Sequence, residues 1–225
     1  MKINRVIDLS HVIDEHTQVY PGDPVPHFEV HSTIERDGFN LLSVQMGSQS
    51  GTHVDAPYHF DDSTERIDEL PLERFMGRGV VIDLTGLAGR TKITWSMIAG
   101  SPEAPSPAGA GDIVLLKTGW SRHWGADEYF NHPYLAAEAC QRLLDAGVRA
   151  FGIDAINIDE TPDDHHAGVG FPVHHLIAKA AGVISENLTN LEAIDFADPL
   201  VSLLPIKLAS ADGAPVRAVA IQLGD

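Results

Sequence analysis

The chain has 225 residues, 44% of them hydrophobic and 21% charged, which places it among ordinary globular proteins and excludes disordered and fibrous classes. At this length a core can bury roughly 70% of the unfolded surface, so a single domain over residues 1–225 needs no disulfide. The formal net charge of −17, from 32 acidic and 15 basic residues, would repel a phosphate backbone and argues against nucleic acid as a partner.

In chain order, Val6 to Leu9 is the first β-branched, apolar run; Asp8 interrupts what a signal peptide would need as an apolar region. Leu41 to Met46 alternates apolar and polar residues and predicts a strand that gives way, at Gly51 and Thr52, to a tight polar loop. Val80 to Leu84, Ile113 to Leu116, Ala150 to Ile153, Val183 to Ser185 and Val216 to Leu223 predict five further strands. The segment Ala99 to Gly111, rich in Pro, Gly, Ala and Ser, reads as a surface loop rather than a domain linker. Helical spacing marks Ala136 to Ala146 and Pro172 to Ala181, the second opening on a first-turn proline and stopping near Gly182. Cys140, the only cysteine, allows no intrachain disulfide and reads as a small buried apolar residue in a reducing compartment. No run of about 18 apolar residues occurs, so the expectation is a cytoplasmic protein with no membrane span. Strands interleaved with helices predict a mixed α/β architecture.

The chemistry concentrates between Gln49 and His59. In extended backbone His53 and Asp55 lie two apart and project to the same side, which lets an imidazole and a carboxylate reach one cation. Pro57 stiffens the chain on the way to His59. A His-x-Asp pair alone usually belongs to a solvated strand end, but Gln49, Gly51, Thr52 and His59 beside it have no collective task in a core. Asp163-Asp164-His165-His166 has ligand chemistry too, although its charge density and following glycines read as a solvated loop. Asp154 and Asp159 lie at or just beyond the end of a core strand, and Asp154 suits the anchoring of loop backbone or of a ligand histidine. Lys117, Trp120 and Trp124 are as compatible with packing as with a pocket.

The run Gly51-Thr52-His53-Val54-Asp55-Ala56-Pro57-Tyr58-His59 resembles the signature His-x-Gly-Thr-His-x-Asp-x-Pro-x-His of the cyclase family of metal hydrolases, which includes bacterial kynurenine formamidases and isatin hydrolases. Gln49 stands where that signature has its first histidine. A second similarity lies at Phe171-Pro172-Val173-His174 and Ser185-Glu186-Asn187-Leu188, and others touch Tyr20-Pro21-Gly22-Asp23, Gly152-Ile153-Asp154 and Gly213 to Arg217. The resemblance therefore covers essentially the whole chain.

It implies a swivelling β/β/α domain with a mixed sheet flanked by helices, assembled as a homodimer or homotetramer. It also implies a metal site of His53, Asp55, His174 and Glu186, with Gln49 as an oxygen donor in place of the signature's first histidine and His59 as general acid and base. His175 competes with His174, since adjacent helical residues point about 100° apart and only one should face the metal. Nitrogen and oxygen donors without thiolate suit zinc or manganese, one or two ions per subunit. Such an ion polarises an amide carbonyl and lowers the pKa of a bound water toward roughly 7.

The expected reaction is hydrolysis of a C–N amide bond in a small aromatic formamide or cyclic amide. Isatin-type lactam hydrolysis, a metal-dependent cyclase or dehydratase reaction, and a non-catalytic metal- or ligand-binding protein are the alternatives. Tyr20 stands where kynurenine formamidases carry a tryptophan against the substrate ring, and it is the candidate substrate-binding residue; a phenol still stacks but leaves a different pocket.

Overall fold

The computed structural model describes residues 2–101, 108–168 and 170–224. Thirteen strands run in the order β1 (Lys2–Asp8), β2 (His27–Ser32), β3 (Leu41–Gln45), β4 (His53–Asp55), β5 (Met76–Asp83), β6 (Lys92–Ile93), β7 (Asp112–Lys117), β8 (Tyr134–Leu135), β9 (Ala150–Ile153), β10 (Val183–Glu186), β11 (Leu200–Ser202), β12 (Gly213–Pro215) and β13 (Val219–Gly224). The α-helices among the described residues are α1 (Ile34–Asp37), α2 (Trp95–Gly100), α3 (Ala137–Asp145) and α4 (Pro172–Lys179). The loop expected at Ala99 to Gly111 lies in part, at residues 102–107, outside the described residues. No helix among the described residues is long and apolar enough to cross a membrane.

Nine strands form one mixed sheet in the order β1-β13-β11-β5-β7-β9-β10-β4-β12. Its centre, β5-β7-β9-β10, is parallel, and antiparallel strands extend it on both sides. Parallel central strands covered on both faces read as continuous apolar runs, and Ile113, Val114, Leu115 and Leu116 of β7 are all buried. Their alternation divides two cores. Val114 and Leu116 join Phe151 and Ile153 under α3 and α4, against Cys140, Leu143, Val173 and Ile177. Ile113 and Leu115 face the other way, with Val54, Leu188, Val201, Ala214 and Ala220.

That second core exists because the sheet curls. β12 and β13 stand seven places apart in the strand order, roughly 34 Å in a flat sheet at about 4.8 Å per strand, yet only residues 216–218 join them. The four peptide links from Pro215 to Val219 span at most about 14 Å. The two ends of the sheet must therefore converge, and Val54 and Ala214 from one end meet Ile7 and Ala220 from the other. The architecture is the mixed α/β expected.

The run Leu41 to Met46 forms the strand expected of it. Its strand, β3, pairs only with β2 in a separate hairpin, and all five of its residues are exposed. Alternating apolarity signals a half-buried strand only where another layer covers it, and here none does. The large sheet takes instead the three-residue β4, which begins at His53.

Candidate metal and proton-transfer site

The loop entering β4 needs Gly51. Its φ of +65° is left-handed, and a Cβ there would meet Ile13 Cγ1 at 2.6 Å. Thr52 then donates its hydroxyl to Asn187 O (2.6 Å), while the Asn187 amide donates to Gly51 O (2.9 Å) and the Tyr129 hydroxyl donates to Asn187 Oδ1 (3.0 Å). The signature's Gly-Thr pair is thus a clamp between the start of β4 and the end of β10.

Within the clamp, β4 sits between β10 and β12, with His53 directly opposite Glu186 and Asp55 opposite Ile184. Directly paired residues on one face bring their side chains together. His53, Asp55 and Glu186 converge so that one ligand atom from each lies within 4.8 Å of the others, and all three are buried. His53 Nε2 is 3.3 Å from Asp55 Oδ1 and 3.8 Å from Glu186 Oε2. His174, buried on α4, brings its Nε2 to 3.4 Å from Glu186 Oε1 and 3.7 Å from Asp55 Oδ2. His175 is exposed and meets the edge of Phe60 instead.

The two imidazoles are oriented alike. His53 Nδ1 is 2.9 Å from Gly51 O and His174 Nδ1 is 2.8 Å from Asp159 Oδ2, so each commits its Nδ1–H to an acceptor and turns Nε2 to the carboxylates. Asp159 also accepts from the backbone nitrogens of Val173 and His174 (both 3.0 Å), which caps the start of α4. Glu186 Oε1 accepts from Ile158 N (2.7 Å). Asp154 has a different task, accepting from the backbone nitrogens of Thr118 and Gly119 away from this cluster.

The cluster is short of positive charge. Burial opposes protonation of His53, yet Asp55 and then Glu186 outweigh it and push its pKa up to about 9. His174 is likewise raised, against its burial, by its hydrogen bond to Asp159 and by the nearby carboxylates of Asp55 and Glu186. Burial disfavours the ionised form of Asp55, but His53 and His174 hold its carboxyl well below the usual range. Asp55 Oδ1 remains buried without a hydrogen-bond partner. Two buried carboxylates, two Nε2 atoms turned toward them and one orphaned oxygen are a donor set that fits a divalent cation.

His59 and Gln49 lie to one side. Pro57 opens a single 3-10 turn, Pro57–His59, which places His59 at the rim with its Nδ1 2.9 Å from Asp212 Oδ2. Burial lowers the His59 pKa and the hydrogen bond to Asp212 raises it, with a net rise. Gln49 points its Nε2 at Asp212 Oδ2 (3.1 Å), and its Oε1 is buried without a partner. The amide lies over Gly213, where a Cβ would be 2.6 Å from Oε1 and from Val54 O, so only glycine fits.

A cavity of about 240 Å³ opens above the cluster, its floor His53, Asp55, His174 and Glu186 and its wall Tyr20, Phe60 and Phe171. Phe171 lies 5.1 Å from Phe60 and 6.3 Å from Tyr20 between ring centroids. Lys117, Trp120 and Trp124 do not line it. Asp163 and its histidines form an exposed loop tied to Arg90. Asp212 and Phe60 escaped the sequence reading, which placed Asp159 beyond a core strand and Phe171 before His174 without giving either this role. Of the two, Phe60, next to His59 in sequence, had a local signal.

The Cyclase family model, described as "Putative cyclase", matches residues 7–160, a span that takes in His53, Asp55 and His59. A kynurenine formamidase of Bacillus cereus is 31% identical over 223 residues, 97% of this chain and 98% of that one. A solved structure titled as a potential metal-dependent hydrolase with cyclase activity is 27% identical, with a TM-score of 0.77 over 98% of this chain and 99% of that chain. An isatin hydrolase bound to the product analogue thioisatinate aligns with a TM-score of 0.87 over 97% of this chain and 92% of its own; at 23% identity that likeness speaks for the fold. Matched by the family model over more than half its length, and by a relative over nearly all of it, the chain belongs to the Cyclase family.

Proposed function

We propose that the protein is a metal-dependent amidohydrolase that cleaves the C–N bond of a small aromatic formamide. The observation that carries this reading is the buried, cation-seeking cluster of His53, Asp55, His174 and Glu186 on the floor of an aromatic-walled cavity. The length-wide similarity to kynurenine formamidases supports the choice of formamide.

His53, Asp55, His174 and Glu186 would hold one zinc or manganese ion, whose charge the two carboxylates balance, with Gln49 Oε1 as a further oxygen donor. When bound, such an ion supplies a Lewis acid for the amide carbonyl and for the attacking water. Tyr20, Phe60 and Phe171 stack the aryl group and keep bulk water from the bond that breaks. Hydrolysis adds the water oxygen to the carbonyl carbon and leaves a proton for the departing nitrogen. His59 takes that proton from the water and delivers it to the nitrogen, so no covalent adduct with the protein is required.

The test is metal analysis of the purified protein together with a panel of aryl formamides, isatin and simple lactams. Expected are formamide hydrolysis that chelation abolishes and zinc or manganese restores, and a His59→Ala variant that binds metal without turnover. Full activity in the stripped protein would sink the mechanism. Failure of every amide in correctly loaded protein would transfer the reading to cyclisation or dehydration at the same site.

A further inference from the structure

Asp212 lies just before β12, where its backbone oxygen accepts from Ala56 N (2.8 Å). Its side chain turns to His59, at the cavity rim, and uses both oxygens. Oδ1 accepts from the Ser48 hydroxyl (2.8 Å), and Oδ2 faces His59 Nδ1 (2.9 Å) and Gln49 Nε2 (3.1 Å). Its pKa is lowered, first by the hydrogen bond from His59, so the carboxyl is ionised and can only accept.

Two orientations follow. The proton between Asp212 and His59 belongs to Nδ1, which leaves Nε2 as the ring nitrogen that carries the lone pair of neutral His59. Gln49 must present its NH₂ to the carboxylate, since its oxygen there would be repelled; Oε1 is thereby turned away, and it is the buried, unpartnered atom. Gln49 Nε2 also lies 3.3 Å from His59 Nδ1. With Asp212 present both nitrogens donate to the same oxygen and that contact carries no hydrogen bond. With the carboxylate removed, the amide becomes the nearest partner of Nδ1 and would donate to it, moving the imidazole proton to Nε2.

We propose that Asp212 is a positioning residue that holds His59 in its Nδ1–H tautomer and Gln49 with its oxygen turned inward. The catalytic consequence rests on the reading of His59 as the proton carrier; the tautomer itself does not. An imidazole with its proton on the wrong nitrogen cannot take one from water, and general base catalysis contributes about 10²- to 10⁴-fold in rate.

The experiment is long-range 1H–15N NMR of zinc-loaded, 15N-histidine protein at a pH where His59 is neutral, its signals assigned with His59→Gln. Kinetics are measured in parallel. Wild type is expected to show Nδ1–H at His59. Asp212→Ala should move the proton to Nε2 and lower kcat by about 10²- to 10⁴-fold with little change in KM or zinc content. Asp212→Asn, whose amide oxygen can still accept from Nδ1 while Ser48 turns to accept from its NH₂, should keep the wild-type tautomer and recover part of kcat.

Asp212→Ser replaces the alanine variant if that fails to fold. Persistence of Nδ1–H in Asp212→Ala, or in Asp212→Ser where that replaces it, would overturn the proposal. A tautomer change in a protein that hydrolyses no amide would keep the role of Asp212 and discard the hydrolase reading. An active wild type whose tautomer ignores Asp212 would do the reverse.

Discussion

His53 and His174 reach the same carboxylates from different elements, and each is set by one acceptor at Nδ1: the Gly51 carbonyl for the first, the Asp159 carboxylate for the second. Removing such an outer partner typically costs 10- to 100-fold in metal affinity, because the ring loses its orientation and basicity together. Asp159→Ala is therefore expected to weaken divalent-metal binding by about that factor, and His174→Ala by more. His175→Ala should leave metal content unchanged, since that ring lies outside the cluster. Chelator competition with each variant measures this; equal losses from His174→Ala and His175→Ala would refute the assignment. The His53-x-Asp55 pair was legible in sequence because a strand's two-residue period is local. The ties of Asp159 to His174 and of Asp212 to His59 were not, since these pairs lie 15 and 153 residues apart and no spacing announces them.

Among elements, α4 behaves as its sequence predicts. Val173, His174, Ile177 and Ala178 form its buried stripe, and the site histidine is one member of an otherwise apolar face. The β2–β3 hairpin contains the strand expected at Leu41 to Met46 but leaves Val30, Leu41, Leu42 and Val44 exposed. An isolated two-stranded hairpin is marginally stable in water, and Leu42 and Val44, which share one face with the directly paired Val30, offer exposed apolar surface to a partner. We propose that the hairpin packs against further copies of the chain in a homodimer or homotetramer. Light scattering is expected to give a mass that is a multiple of 24.3 kDa, with Leu42→Asp and Val44→Asp together reducing it. A wild-type monomer at micromolar concentration would end that idea.

For the molecule as a whole, two histidines away from the site set the acid limb of stability. His132 is fully buried, with Nε2 2.8 Å from Thr161 Oγ1 and Nδ1 2.9 Å from Pro133 O, and burial pushes its pKa down to about 4. His11, stacked on Trp124 at 4.1 Å, is pushed down to about 4 by the same cause. Unfolded, both titrate near 6.5, so between about 6.5 and 4 the unfolded chain binds protons that the fold excludes. Stability is expected to be undiminished by these groups above pH 6.5 and to fall toward pH 4, with His132 responsible for on the order of 3 kcal/mol. Urea denaturation across that range should show a shallower slope in His132→Asn; an unchanged slope would remove His132 from the account.

The sequence alone determined the strands that are apolar throughout, the two long helices, and the local run from Gly51 to His59, because periodicity and a contiguous motif are properties of neighbours. It also pointed to His174 and Glu186 through resemblance, without showing how they return to His53. Tertiary structure decided the rest. The 216–218 link that curls the sheet, the β4–β10 register that sets His53 against Glu186, and the carboxylates of Asp159 and Asp212 all depend on segments distant in sequence. The physical reason is that a hydrogen-bond acceptor placed from another strand or helix leaves no period and no spacing in the chain that supplies it.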